Sequence, residues 1–353
     1  FKELKRNNIE INQENRKQII ISDGQRKAKE KKLKPDFEEE LLNEVSNLVE
    51  YPNLFLAKFD EKYLNLPSEI LITSMKKHQK YFPLYSKKNL SNFFLLVSNI
   101  RSSDKGKAII EGNERVINAR LEDASFFWEK DKNENFKYKT IELNRVIFHS
   151  KLGSLGDKVI RLSKLLTTVK DQFNLSTSSL KNLRIAIELC KNDLVSEVVK
   201  EFPNLQGSMG YYYSLNSGFN EEVSEAIKDH YKPYGPNDDC PKTRVSKILA
   251  LLDKIDTVTG FFLIDQGPTS SKDPFALRRA GLGILRIILE GRISINLSNL
   301  IIKSLEGHLN EKSFSLLNLN LPLVIANIVD ASICSFIFCS NLLNITEAIN
   351  FLS

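Results

Sequence analysis

The stretch Gln266–Glu290 constrains the fold most, because it joins a turn-rich loop to a helix whose start and faces are visible in the sequence. Residues 267–271 favour a turn, and Asp273 then supplies a capping oxygen before Pro274 at the first helical position. We therefore predict a helix that begins at Pro274. Apolar residues recur along it at three- and four-residue steps, so one stripe should face a core.

Another face of this predicted helix carries Arg279 and Arg286, seven positions apart. Gly281 and Gly283 lie between them, and a glycine inside a helix costs about 1 kcal/mol relative to alanine. The glycines therefore predict that another group approaches the helix backbone closely. Two interpretations remain open: helix-on-helix packing beneath solvated arginines, or an arginine face that contacts phosphate.

Length and composition set broad limits. At 353 residues the chain is long enough for about two or three domains. Lys and Arg total 50 against 44 Asp and Glu, and the net charge of +6 suits an anionic partner without requiring one.

The 4 cysteines are widely spaced without a CxxC pair, and the 4 histidines are scattered, so we expect neither disulfides nor a bound metal. No apolar run reaches the ~18 residues of a membrane span, and we expect a cytoplasmic protein.

The first 140 residues mix two hydrophobic periods. Leu54–Phe59 and Phe93–Ser98 are short apolar runs that predict strands. Ser68 is predicted to cap a short helix that ends near Met75. We therefore predict a mixed α/β domain over residues 1–140.

Helical periodicity continues almost unbroken over residues 141–292, which predicts a separate all-α domain. Residues 293–353 are predicted to begin a helical tail, and the apolar, uncharged run near its end suggests a truncated or aberrant sequence. The predicted fold class is thus α+β: a mixed α/β domain, a helical domain and a helical tail.

A basic segment, Lys76–Pro83, interleaves cations with aromatic rings. Cations can bind phosphates while rings stack on bases, which makes this segment a candidate RNA contact. Its candidate residues are Lys76, Lys77, His78, Lys80 and Tyr81. The alternative is a surface turn whose rings face the core.

No acidic residue lies between Thr73 and Ser103, so the lysines of the basic segment have no carboxylate nearby in the sequence. Like charges this close repel one another unless a polyanion or more distant carboxylates neutralise them. We expect that replacing the lysines with glutamine leaves stability nearly unchanged and weakens polyanion binding.

Residues 111–128 predict a helix along which cations and carboxylates are mixed. Arg115 precedes Glu122 by seven positions, and Arg120 precedes Asp123 by three. The two arginines are candidate RNA contacts, or they form purely structural ion pairs with those carboxylates.

Several runs together resemble a known family. SKDPFALRRA at 271–280, followed by LRII at 285–288, is similar to the signature of the β subunit of the heterotetrameric bacterial glycyl-tRNA synthetase. HQKYFPL, VSNI, EGNERV and RLEDASFFWEKD precede it in the order of that family. The resemblance covers about residues 1–310 and implies the central part of the subunit.

The resemblance implies a tRNA-binding subunit that does not activate the amino acid. It would support ATP-dependent glycylation of tRNA(Gly) in a heterotetramer of two α and two β subunits. ATP and Mg would be used by the whole enzyme, with adenylate formation on the α subunit, so this chain should carry no catalytic residue and no cofactor. The candidate tRNA contacts around the signature are Lys272, Arg278, Arg279 and Arg286.

In that family the first domain resembles the editing-type domain of phenylalanyl-tRNA synthetase, and the second resembles the metal-dependent HD phosphohydrolase fold. The HD fold places a histidine, a His-Asp pair and a later aspartate around metal. Here Lys158 lies in the segment where the first histidine would be, and Cys190 and Lys191 stand in place of the His-Asp pair. Only Asp253 matches a metal ligand of the HD fold. A lysine repels a divalent cation and one carboxylate cannot hold it, so we expect a degenerate site without metal.

The alternative function is a stand-alone hydrolase, either an HD-type phosphohydrolase or an aminoacyl-tRNA deacylase. This hypothesis rests on analogy between folds rather than on residues.

Overall fold

The computed structural model describes residues 9–269 and 271–309. The chain forms two compact units, Phe1–Lys130 and Asp131–Ser353. The first combines helices with a small antiparallel sheet and the second is mostly helical, so the fold is α+β, as predicted. The division falls after Lys130, within a long helix, rather than after residue 140.

The first unit is built around one sheet. Its helices are α1 (Gln13–Glu30), α2 (Glu39–Leu48), α3 (Ser68–Thr73) and α4 (Lys107–Asn133). Its strands are β1 (Lys34–Pro35), β2 (Asn53–Lys58), β3 (Phe82–Ser86) and β4 (Asn89–Ser98), in the order β1-β3-β4-β2. Strand β2 pairs with β4 along its whole length, with Leu54 opposite Val97. The two predicted strands are confirmed.

Helix α1 packs on the sheet through residues at four-residue steps. Ile20, Gly24 and Ala28 are its buried positions. Gly24 lies so close to the neighbouring side chains that an added Cβ would be 2.6 Å from Cζ of Phe37. The absence of a side chain at this position therefore allows the helix to approach the core residue Leu95 closely.

The predicted cap at Ser68 is wrong. Pro67 occupies the N-cap position of α3, and the Ser68 hydroxyl donates to the carboxylate of Glu69. Proline fixes its own φ, so it can start the helix without a capping side chain. Helix α3 continues into a π-helical turn, Ser74–His78, which carries the first part of the basic segment.

Over residues 131–269 and 271–309, the second unit contains helices α5 to α13 and one short hairpin. The helices are α5 (Lys139–Glu142), α6 (Leu155–Val169), α7 (Thr177–Leu189), α8 (Glu197–Glu201), α9 (Ser208–Asn216), α10 (Glu221–Asp229), α11 (Arg244–Leu263), α12 (Leu277–Gly291) and α13 (Leu297–His308). Strands β5 (Ile147–His149) and β6 (Gly153–Ser154) form the hairpin. Helix α11 is buried on nearly all sides and contacts α6, α7, α10, α12 and α13, so it is the central helix of the unit.

Helix α12 begins at Leu277, three residues later than predicted. Ala276 adopts a left-handed conformation with φ of 53°, and the Phe275 ring stacks on Phe261 with centroids 4.1 Å apart. The chain therefore turns inward before the helix starts. Asp273 is nevertheless the predicted cap, because its carboxylate accepts from the N–H groups of Leu277 at 2.8 Å and Arg278 at 3.1 Å.

Helix α13, which belongs to the predicted tail, packs against α6 and α11. The hydroxyls of Ser304 and Thr259 are 2.7 Å apart in this contact. An added Cβ at Gly260 would lie 2.7 Å from Cε1 of His308, so the glycine makes room for that ring. Residues 310–353 of the predicted tail lie outside the described residues. No helix in the described part of the chain has the length and apolar character to cross a membrane.

A buried aspartate organises the start of the helical unit. Asp131, near the end of α4, has a side chain that is 0% exposed. Its carboxylate accepts from the N–H groups of Glu197 and Val198, both at 2.9 Å, and from the Tyr213 hydroxyl at 2.9 Å. The negative charge therefore faces the unsatisfied N–H groups at the start of α8, where it is favourable.

We predict that Asp131→Ala lowers the free energy of unfolding by about 2–4 kcal/mol, because three buried donors would lose their acceptor. The control is Asp123→Ala, on an exposed position of the same helix, which should change stability by less than about 0.5 kcal/mol. Urea unfolding of both variants measures the difference. Equal effects of the two substitutions would contradict this role of Asp131.

Candidate functional site

A group of lysine, arginine, aspartate and histidine side chains is buried inside the helical unit, and we call it the ionic cluster. Helices α6 and α11 supply most of its members, with others from the end of α7, from His230 after α10 and from the last residue of α13. The members are Lys158, Arg161, Lys191, His230, Asp253, Asp256 and His308. Burying this many charges is costly unless each is paired.

The carboxylate of Asp253 lies between two ammonium groups. Its Oδ1 is 3.3 Å from Nζ of Lys158 and 3.1 Å from Nζ of Lys191. Lys158 also lies 3.0 Å from Oδ2 of Asp256 and donates to the Thr257 hydroxyl at 2.8 Å. Each lysine is therefore satisfied by groups of the helical unit itself.

Asp256, one helical turn after Asp253, joins α11 to α6 and α13. The Arg161 guanidinium donates to both carboxylate oxygens, through Nε at 2.8 Å and Nη2 at 3.2 Å. This two-point geometry is the strongest form of a carboxylate–arginine pair. Nε2 of His308 lies 3.1 Å from Oδ1 of the same carboxylate.

The pairing keeps both carboxylates ionised. Burial alone would raise the pKa of Asp253, but the ammonium groups of Lys158 and Lys191 outweigh burial and hold the pKa well below its usual value. Burial would likewise raise the pKa of Asp256, and Lys158, His308 and Arg161 lower it instead. The two carboxylates in turn raise the pKa of Lys158 against the opposing effect of burial.

His230 is neutral in this cluster. Burial, and then the nearby Lys191 ammonium, lower the pKa of the ring well below its usual value. Nδ1 lies 2.6 Å from the carbonyl oxygen of Ile227, and Nε2 lies 2.8 Å from Nζ of Lys191. The ring therefore donates to the carbonyl and accepts from the ammonium group.

The structure brings together three of the four residues predicted for a degenerate HD site: Lys158, Lys191 and Asp253. The fourth, Cys190, is buried nearby, but its thiol points to the carbonyl oxygen of Ile187 at 3.3 Å. Burial raises the pKa of this thiol to about 12, so it stays protonated.

The cluster does not fit a metal ion. A divalent cation at Oδ1 of Asp253 would lie against two ammonium groups already within 3.3 Å of that oxygen. Across residues 9–269 and 271–309, no three His, Cys, Asp or Glu side chains are arranged to hold a metal.

Sequence reasoning missed Arg161, Asp256, His230 and His308. A signal was present for the first two, because Arg161 follows Lys158 by three positions and Asp256 follows Asp253 by three, which places each pair on one helix face. The histidines come from other elements and had no such signal.

The arginines of α12 hold a surface loop, residues 231–238. Nη1 of Arg286 donates to the carbonyl oxygens of Gly235, Pro236 and Asp238 at 3.1, 3.1 and 2.8 Å. Nη1 of Arg279 lies 3.4 Å from the Tyr234 carbonyl oxygen. The sequence left two interpretations of these arginines open, solvated side chains or phosphate contacts. Arg286 fits neither, because its guanidinium donates to the loop carbonyl oxygens.

The close approach predicted at Gly283 is made by Lys254. An added Cβ at Gly283 would lie 2.9 Å from Cε of Lys254, whose ammonium group donates to the Tyr231 carbonyl oxygen at 2.8 Å. Arg278 donates through Nη2 to the Thr269 carbonyl oxygen, whereas Lys272 is exposed.

Carboxylates distant in the sequence neutralise most of the basic segment. Nζ of Lys76 lies 2.6 Å from the carboxylate of Asp36 and 2.8 Å from that of Glu38. Nζ of Lys80 lies 2.7 Å from Glu44. The sequence indicated a local excess of positive charge in this segment. In the structure, carboxylates of α2 and of the residues before it neutralise most of that charge. Within the described part of the chain, exposed Lys77 forms no ion pair.

The rings of the basic segment face the core, as the alternative interpretation predicted. Tyr81 is 4% exposed, its ring stacks on Phe94 with centroids 4.5 Å apart, and its hydroxyl donates to Asn113 at 2.6 Å. Tyr81 is thus not available to stack on a base. His78 remains exposed, with Nδ1 2.7 Å from Nη2 of Arg120.

The predicted pairing of Arg115 with Glu122 is wrong. Glu122 instead accepts from Lys62 at 3.0 Å and from the Tyr63 hydroxyl at 2.5 Å. Both partners come from the short 3-10 helix after β2, which sequence spacing along α4 could not reveal. Arg115 itself is exposed.

We predict that Asp253→Asn lowers the free energy of unfolding at neutral pH by about 3–5 kcal/mol, because two buried ammonium groups would lose their shared carboxylate. The folded-state pKa of Asp253 is lowered, so its contribution is complete above the unfolded value of about 3.9 and is lost as pH falls through the folded value. The difference between wild type and variant should therefore shrink only below about pH 4. Urea unfolding at several pH values measures it, and a constant difference would contradict the pairing.

Comparisons with known proteins identify the family. A family model described as glycyl-tRNA synthetase beta subunit matches residues 1–338, further than the motifs seen in the sequence. The glycine–tRNA ligase beta subunit of Rickettsia felis is 44% identical over 305 residues, which cover 86% of this chain and 44% of that protein. The beta subunit of Janthinobacterium sp. (strain Marseille) is 44% identical over 270 residues, or 76% of this chain and 38% of that protein. The chain thus spans less than half of these relatives, and it belongs to the glycyl-tRNA synthetase beta-subunit family.

Proposed function

We propose that this chain is part of a tRNA-binding subunit that does not activate the amino acid. It would act in the cytoplasm with an α subunit, in a heterotetramer of two α and two β subunits that glycylates tRNA(Gly). The observation that carries the proposal is the ionic cluster. In this cluster Oδ1 of Asp253 lies within 3.3 Å of two lysine ammonium groups, which take the place that a metal ion would need, and this supports a scaffold role for the helical unit.

ATP and Mg would be bound by the complete enzyme and used on the α subunit. On this chain, the lysine ammonium groups supply the positive charge that a metal would bring to Asp253. This substitution is consistent with an HD-like helical unit whose hydrolase chemistry has been lost. The likeness of the first unit to an editing-type domain is part of the same proposal and rests on the sequence resemblance.

The geometry gives little support to a stand-alone hydrolase. Oδ1 of Asp253 lies within 3.3 Å of the ammonium groups of Lys158 and Lys191, and the Cys190 thiol is protonated and buried. In the first unit, Nδ1 of His78 lies 2.7 Å from the guanidinium of Arg120, so this ring nitrogen is already engaged.

The structure narrows the candidate tRNA contacts. Lys76 and Lys80 are engaged by carboxylates, Tyr81 is buried, and Arg278 and Arg286 donate to carbonyl groups. The exposed candidates are Lys77, His78, Arg115, Lys272 and Arg279. We propose that tRNA phosphates are bound by the cations of this group, while Arg120 acts through His78.

We predict that Lys77→Gln and Arg279→Ala each weaken tRNA(Gly) binding and flatten the salt dependence of the affinity by about one phosphate contact. The matched control is Lys76→Gln, whose ammonium group is bonded to Asp36 and Glu38 and should leave the salt slope unchanged. Fluorescence anisotropy across a salt series measures the slopes. If Lys76→Gln alone flattened the slope, the assignment of exposed and engaged lysines would be wrong.

We also predict that the chain without an α subunit catalyses no glycine-dependent exchange between ATP and pyrophosphate. Adding the α subunit is the positive control. Exchange by the isolated chain would contradict the division of labour proposed between the subunits. A stoichiometric transition metal in the purified protein would favour the hydrolase instead.

A further inference from the structure

The 231–238 loop is held at unusually many points for an exposed loop. Arg286 engages three of its carbonyl oxygens, and Lys254 and Arg279 contact one each. Within the loop, the N–H group of Tyr234 donates to the carboxylate of Asp238 at 2.8 Å. Both backbone groups of Tyr234 therefore have partners, and the backbone that carries its side chain is held in place.

The Tyr234 ring continues a row of aromatic rings that starts at the ionic cluster. Nζ of Lys191 lies 4.1 Å from the centroid of the Tyr231 ring. The rings of Tyr231 and Tyr234 are nearly parallel, at 23°, with centroids 6.4 Å apart. Tyr234 is 47% exposed, so the row ends at the surface with part of a ring open to solvent.

An arginine contacts the backbone of the residue that carries this exposed ring. Arg279 is exposed, and its contact with the Tyr234 carbonyl oxygen uses one of the several N–H donors of a guanidinium. Four carbonyl oxygens that a protein partner could use as acceptors already accept from Arg286 or Lys254, namely those of Tyr231, Gly235, Pro236 and Asp238. Two groups remain for recognition: the exposed part of the Tyr234 ring, and the exposed guanidinium of Arg279 that contacts the carbonyl oxygen of the same residue. An aromatic ring together with a cation suits a nucleotide.

We infer that Tyr234 stacks on an unpaired base of the RNA partner while Arg279 contacts an adjacent phosphate. This inference rests on the proposed function and assigns the partner of the 231–238 loop. Because the loop is already ordered, stacking requires little further loss of conformational freedom.

The test compares wild type, Tyr234→Ala, Tyr234→Phe and Tyr138→Ala, each as the full chain with its α subunit. Tyr138 is the matched control, because it is 68% exposed and belongs to another part of the helical unit. The dissociation constant of a tRNA(Gly) transcript is measured across a salt series, and thermal unfolding checks that each variant is folded.

Tyr234→Ala should weaken binding by about 5- to 150-fold, the effect of losing one stacked base, with an unchanged salt slope because the ring carries no charge. Tyr234→Phe should bind nearly as wild type, since it keeps the ring, and Tyr138→Ala should have no effect. Together these results would support stacking.

Three outcomes would overturn the inference. If wild type binds and Tyr234→Ala binds equally well, stacking is wrong and the proposed function stands. If Tyr234→Ala lowers affinity for the α subunit and not for RNA, the loop is a protein contact. If wild type does not bind tRNA, the proposed function fails, and the inference fails with it.

Discussion

The helical unit depends on one carboxylate held between two ammonium groups. Asp253 lies on the central helix α11, and its partners Lys158 and Lys191 come from α6 and from the end of α7. Such a contact is favourable only if all three charges stay paired, since an unpaired charge in this interior would cost several kcal/mol. The arrangement of α6, α7 and α11 is therefore set by ion pairing as well as by apolar packing.

The same central helix carries the surface features. Asp256 joins α13 to the unit through His308, and Lys254 joins the 231–238 loop through the Tyr231 carbonyl oxygen. A single turn of α11, Asp253 to Asp256, thus pairs the interior charges, contacts a peripheral helix and supports an exposed loop. We expect a substitution in the ionic cluster to displace the 231–238 loop through α11, because a closely packed interior transmits strain.

Local signals in the sequence predicted elements well and contacts poorly. The strands around Leu54 and Phe93 follow from short apolar runs, and the capping role of Asp273 follows from its position before a proline. The start of α12 was missed because it depends on Phe275 packing against Phe261, fourteen positions earlier. The neutralisation of Lys76 and Lys80 by Asp36, Glu38 and Glu44 was missed for the same reason. In the candidate site, the HD resemblance pointed to Lys158, Lys191 and Asp253, whereas the histidines required the fold.

The pairing around Asp253 also limits how the sequence can change. Replacing Lys191 by aspartate would place a new carboxylate beside Asp253 and remove one of its two cations. Replacing Lys158 alone would leave Asp253 and Asp256 sharing fewer positive charges. Each single step toward a metal-binding set therefore passes through a protein with an unpaired buried charge, which is strongly destabilising. Substitutions would have to occur together, so a chain with this lysine pair is expected to keep it.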